Sequence, residues 1–168
     1  MSSRKIIVVS TPFMFGFISG FYGGRFSLSD PRMDLCMPLP FLLFKILEIN
    51  SLFNLKIMLS SLLFWIPVPY YLFNVGYTYG LLIRFSYLVT DPFYLPALIS
   101  YSIPEVAGYI IASYVSLDIA EKFYRFIRGL YTKIERGTIL LAAASFLLIF
   151  VGALIESFLI EGRCSAAS

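Results

Sequence analysis

Apolar residues fill this chain in long runs, broken at wide intervals by glycine, proline and short charged stretches. A helix needs about 20 apolar residues to cross the hydrocarbon core of a bilayer, and by that measure the sequence predicts five spans. The first covers about residues 6–24 and is rich in glycine. The second, about 56–73, reads KIMLSSLLFWIPVPYYLF, and Pro67 and Pro69 are expected to end or kink it. The third, about 75–90, is VGYTYGLLIRFSYLVT; it is interrupted by Arg84 and follows the second with almost no loop, so the two read as a membrane hairpin. The fourth, about 97–117, holds Pro104 beside Glu105, and the fifth, about 138–160, holds Glu156.

Between the first two spans lies RFSLSDPRMDLCMPLP followed by FLLFKILEINSLFNL. Lys45, Glu48 and Asn50 break the second half at roughly helical intervals, which predicts an amphipathic helix lying at the membrane interface. A sixth, short or re-entrant segment is the open alternative. The chain begins with Arg4 and Lys5 ahead of an apolar run, as a signal peptide does. That run is too long for one and lacks an A-x-A type cleavage site, so it reads as a retained first span.

Composition agrees with this pattern. The 168 residues are 59% hydrophobic and 14% charged, against about 25% charged in ordinary soluble domains. Mean hydropathy is +0.83. The expected fold is a single all-α integral-membrane domain over residues 1–168, a polytopic helix bundle in the lipid bilayer. A net charge of +3 without a basic stripe argues against a nucleic-acid partner. Histidine is absent, which removes the usual metal ligand and the usual general base at neutral pH. With no GxSxG motif and no paired intramembrane aspartates either, no catalytic residue, metal site or cofactor is expected, and the chain does not read as an enzyme.

Sidedness follows from lysine and arginine in short loops. Arg4 and Lys5 precede the first span, and Lys122, Arg125, Arg128, Lys133 and Arg136 lie between the fourth and fifth. With five spans both regions share one side, expected to be the cytoplasmic face of the cell membrane, and the C-terminus is extracytoplasmic. The opposite side carries Arg25, Arg32 and Lys45 offset by Asp30, Asp34 and Glu48, together with Asp91. Cys36 and Cys164, which form no metal-ligand pattern, both fall there, where a disulfide is permitted. The stretch from Asp118 through Glu121, Lys122 and Arg125 reads either as a solvated face or as a docking site for a soluble partner or anionic headgroups. Aromatic residues gather near span ends, as interfacial belts do.

Two sets of residues stand out inside the spans. Gly16, Gly20 and Gly24 recur every four residues, as do Gly76 and Gly80, and Gly108 with Ala112 is a weaker version. Small residues at that interval let helix backbones approach closely, within one chain, in a homo-oligomer or against a partner. Glu105 and Glu156 are the second set, because an ionised carboxylate at mid-bilayer costs roughly 2.5–3.5 kcal/mol on insertion scales. Counted from predicted helix ends at about 1.5 Å per residue, Arg84, Glu105 and Glu156 all fall roughly 6–12 Å below the outer boundary. One buried cluster of the three is expected, either as an assembly clamp or as a proton or ion relay.

Together these features resemble the stage II sporulation protein M family. Its motifs are matched by FMFGFISGFYGG, by FNVGYTYG around the hairpin, by SIPEVAGYIIASYVSL in the fourth span and by the ending GALIESFLIEG. Glu105 and Glu156 fall on the glutamates of the last two. A proline-histidine pair that the family often carries before the first of these glutamates is replaced here by Ser100 and Tyr101. The resemblance implies a non-catalytic membrane anchor that helps assemble a peptidoglycan-degrading complex, the chemistry belonging to its partners. Two functions follow as expectations. One is a scaffold or assembly subunit recruiting other membrane or extracytoplasmic proteins; the other is a small permease-like or ion-conducting transport subunit.

Overall fold

The computed structural model describes residues 3–23, 37–60, 67–88 and 94–167. Gly24, Cys36, Asp91 and the first half of the segment that follows the first predicted span lie outside the described residues. Five helices and no strand occur among the described residues: α1 (Ser3–Gly23), α2 (Leu39–Ser60), α3 (Pro67–Leu88), α4 (Tyr94–Ile127) and α5 (Arg136–Ala167). Three of them contain stretches long and apolar enough to cross a membrane: Lys5–Gly23, Tyr94–Ile127 and Arg136–Gly162. The expected count of five rests on α2 and α3 as well. Each has 22 residues, but α2 carries Lys45, Glu48 and Lys56, and α3 is rich in tyrosine.

The boundaries between the predicted second and third spans are corrected. Residues 56–73 do not form one helix: the first of them belong to α2 and the last to α3, which run in opposite directions, and residues 61–66 lie outside the described residues. Proline lacks only an N–H that has no partner in the first turn, so Pro67 opens a helix here instead of ending one. The predicted interfacial helix is likewise the first part of α2. Phe41, Phe44, Leu52 and Leu55 face outward on it, whereas Asn54 is fully buried and Asn50 half-buried. Lys45 and Glu48 stay exposed beside Phe41 and Phe44 while Leu42 is fully buried, so the exposed side is mixed and only the two asparagines turn inward.

Contacts fix the direction of every helix. Gly16 lies on the backbone of Phe73 and Gly20 on that of Tyr77, so α1 and α3 run parallel. The contact is reciprocal, since Gly76 meets the backbone of Phe13 and Phe17, and Gly80 that of Phe17 and Phe21. A Cβ on any of these four glycines would fall on a carbonyl oxygen of the facing helix. On α4, Gly108 is set against Ile149 and the Ser145 carbonyl of α5, which runs antiparallel to it. α2 runs parallel to α4, with Asn50 beside Glu105 and Ile57 beside Ser116. The result is an up-down-up-down-up bundle whose core joins Ile57 and Met58 of α2, Val75 and Tyr79 of α3, Tyr109 and Ala112 of α4, and Ile149 of α5. A second cluster, Val9, Val68, Leu72 and Leu117, fills the end nearer the N-terminus.

That end is closed by an ionic clasp. Lys5 of α1 bridges Asp118 at 3.1 Å and Glu121 at 2.8 Å. Asp118 also accepts from Lys122 at 2.6 Å and from the Thr138 hydroxyl of α5 at 2.7 Å. Three helices are thereby tied at one level, and the N-terminus shares an end of the bundle with the α4–α5 turn. α4 stops in a Schellman motif: Gly129 takes a φ of 74°, its N–H donates to Phe126 at 2.9 Å and that of Leu130 to Arg125 at 3.1 Å. Glycine adopts this left-handed conformation without a Cβ penalty. At the far end of α5, Cys164 is disulfide-bonded. The chain's one other cysteine, Cys36, lies outside the described residues.

Candidate functional site

Glu105 sits at the meeting point of α2, α3, α4 and α5, and only 4% of it is exposed. Both carboxylate oxygens are engaged. The Asn50 amide of α2 donates to Oε1 at 2.5 Å, and the Tyr79 hydroxyl of α3 donates to Oε2 at 2.6 Å. From α5 the space is made by Gly152, where a Cβ would collide with Glu105 Cγ and crowd the Tyr101 carbonyl at 3.2 Å. Along α4, about 20 Å of helix separates Glu105 from Asp118 in the clasp. A layer about 30 Å thick that began at the clasp would therefore hold Glu105 some 10 Å from its far face.

A second polar layer lies one turn nearer the clasp. Asn54 follows Asn50 by four residues and so projects from the same face of α2. Its amide donates to Ser145 of α5 at 2.7 Å, and the Ser145 hydroxyl reaches the Gly108 carbonyl of α4 at 3.0 Å. A further link closes the stack, with Ser116 of α4 donating to the Ile57 carbonyl of α2 at 2.8 Å. Interhelical hydrogen bonds in membranes contribute about 0.6 kcal/mol each on average. The three to Glu105 and between Asn54 and Ser145 therefore sum to about 2 kcal/mol, comparable to the cost of placing one carboxylate in the bilayer.

Glu156 follows Gly152 by four residues on α5 and shares its face, which brings it into electrostatic reach of Glu105 and Tyr109. No hydrogen-bond donor reaches it among the described residues. Arg84, the third member of the expected cluster, is elsewhere. Its side chain is exposed, and its Nη1 donates to the Tyr22 carbonyl at 3.1 Å, joining the ends of α3 and α1. The physical reason is direction. Arg84 lies four residues from the end of α3 at Leu88, close to the expected depth, but its side chain turns outward toward α1.

The sequence pattern placed glutamates but not their partners. Asn54, Ser145 and Gly152 went unassigned, Asn50 was given to an interfacial helix and Tyr79 to an aromatic belt, although two asparagines one turn apart in an apolar run were a usable signal. No metal-binding group of three or more His, Cys, Asp or Glu occurs among the described residues. No family model, no curated protein and no solved structure matches this chain. The fold and site thus define an all-helical chain with three helices long and apolar enough to cross a membrane, braced by one deeply buried carboxylate.

Proposed function

We propose that this chain is a non-catalytic integral-membrane subunit with five crossings, which holds partner proteins together in the cell membrane. The observation that carries this reading is the use made of its interior polar groups. Asn50, Asn54, Tyr79, Glu105, Ser116 and Ser145 each bond to a neighbouring helix, so the polar interior braces the bundle. The glycine faces of α1 and α3 are consumed by one another, leaving outer surfaces and the connections between helices for partners. Five crossings are supported by the length of α2 and α3, about 33 Å each, and by the exposed apolar residues of α2. The basic α4–α5 turn supports a cytoplasmic N-terminus and an extracytoplasmic C-terminus. The resemblance to the stage II sporulation protein M family points to the same kind of role.

Affinity capture of the full chain from membranes in mild detergent, followed by mass spectrometry, tests the reading. The expected result is one or more proteins recovered in near-stoichiometric amounts. Recovery of the chain alone, with or without further copies of itself, sinks it.

One observation favours a second reading, a transport subunit. Glu156 faces Glu105 without a hydrogen-bond donor among the described residues, and carboxylates within a span mark ion and proton pathways. In proteoliposomes this reading expects an ion flux that Glu156→Gln lowers at least tenfold while the bundle's thermal stability is kept. A wild-type protein that carries no flux rules it out.

A further inference from the structure

α4 is longer than a membrane needs. Asp118 and Thr138 mark where α4 and α5 meet in the clasp, and the apolar run of α5 begins there. Nine more residues of α4 reach Ile127, about 14 Å beyond that level. This projecting tip and its turn are not polar. Phe123, Phe126, Ile127, Leu130, Tyr131 and Ile134 are all largely exposed, Tyr131 at 93%. Arg125, Arg128, Lys133 and Arg136 are interspersed with them and also exposed. Glu121 is already held by Lys5 and Arg125, which leaves Glu135 as the acid of the turn without such a partner there. Arg128 lies 4.3 Å over the Tyr124 ring, its charge turned outward with the aromatic surface.

We infer that this tip is a docking surface for the phosphate groups of anionic lipids in the adjoining leaflet. Three observations carry it, given the reading that the bundle spans a membrane. The apolar side chains surround the tip instead of forming the single stripe that a protein groove would cover. Ile139 and Leu140, near the start of α5, are exposed as well. The basic side chains stand among aromatic rings on the headgroup side of the clasp, and both residue types are enriched near membrane surfaces. Each basic residue near an anionic surface strengthens its attraction by about fivefold.

Native mass spectrometry of the full chain in mild detergent, with phosphatidylglycerol or phosphatidylcholine added, reads the outcome. The wild type is expected to retain phosphatidylglycerol at least tenfold more tightly than phosphatidylcholine. In the triple variant Arg128→Gln, Lys133→Gln, Arg136→Gln, the preference is expected to vanish. The variant Arg128→Lys, Arg136→Lys keeps the charges and is expected to keep most of it, which separates lost charge from lost folding. Equal retention of the two lipids by the wild type overturns the inference. So does a photo-crosslinker at Lys133 that captures a protein, and not lipid, in native membranes. Alkaline carbonate extraction keeps the two readings apart: release of the chain into the supernatant defeats the membrane-spanning reading, whereas an integral chain without lipid preference defeats only this one.

Discussion

Gly76→Val is expected to prevent the bundle from closing. At this position a Cβ falls on the Phe13 carbonyl and against the Phe17 amide, both backbone atoms of α1. Neither can rotate away as the end of a side chain can, so the two helices must part along their whole contact. Overpacking in a well-packed core usually costs about 1–3 kcal/mol, and a clash with backbone belongs at or above the upper end. The neighbouring positions Gly16, Gly20 and Gly80 lose their contact at the same time, because parallel helices separate as rods. Fluorescence-detected size exclusion after a temperature series checks this: the variant should melt at least 10 °C lower or not accumulate as a monodisperse species. Gly137→Ala and Gly162→Ala supply the comparison. Nothing lies within 4 Å of a Cβ at either position, and alanine in a helix is favoured over glycine by about 1 kcal/mol, so both should be neutral or mildly stabilising. A Gly76→Val protein as stable as these two would mean that the α1–α3 contact is looser than described.

Replacing Glu105 is expected to give opposite results for two substitutes of different chemistry. Glu105→Ala removes the acceptor of both Asn50 and Tyr79 and leaves a void beside Gly152. A buried donor left without its partner costs about 1–3 kcal/mol, so the pair and the cavity together should lower stability by about 3 kcal/mol. Glu105→Gln keeps the shape. Its amide oxygen can still accept from Asn50, and its NH2 group can donate to the Tyr79 hydroxyl, which is able to accept as well as donate. Less than about 1 kcal/mol should be lost. Thermal unfolding of the three proteins in the same detergent decides the matter. Equal losses for alanine and glutamine would show that the carboxylate's charge, and not its hydrogen bonding, holds the four helices.

How much of this was legible in the sequence depended on whether the signal was periodic. The glycine ladder of α1 and α3 could be read because four-residue spacing places small residues on one face, whatever the exact helix ends. Gly152 could not, being a single glycine whose partner is a side chain far away in sequence. Asn50 was misassigned, and Asn54 missed, for a different reason. Lys45, Glu48 and Asn50 at helical intervals suggest one polar face toward water, but only the two charged residues stay exposed, while Asn50, like Asn54, turns inward, where Glu105 and Ser145 supply the partners. Arg84 was placed by depth alone, and depth does not fix which way a side chain turns: four residues from the end of α3 it is exposed and reaches the Tyr22 carbonyl. The carboxylate at position 105 was evident as an expensive residue; which helices would meet it was not, because three of them come from distant parts of the chain.

The pairing of α1 with α3 also sets an order of events during synthesis. Gly16 and Gly76 are 60 residues apart, since 76 − 16 = 60. At about 5–20 residues per second the ribosome needs roughly 3–12 s to deliver the second after the first. Over that interval α1 is in place while the helix that covers its glycine face has yet to be made, and α2, which arrives between them, is committed to α4 and α5. The first helix of this chain therefore has to be held, by the insertion machinery or by lipid alone, until its neighbour in space has been translated.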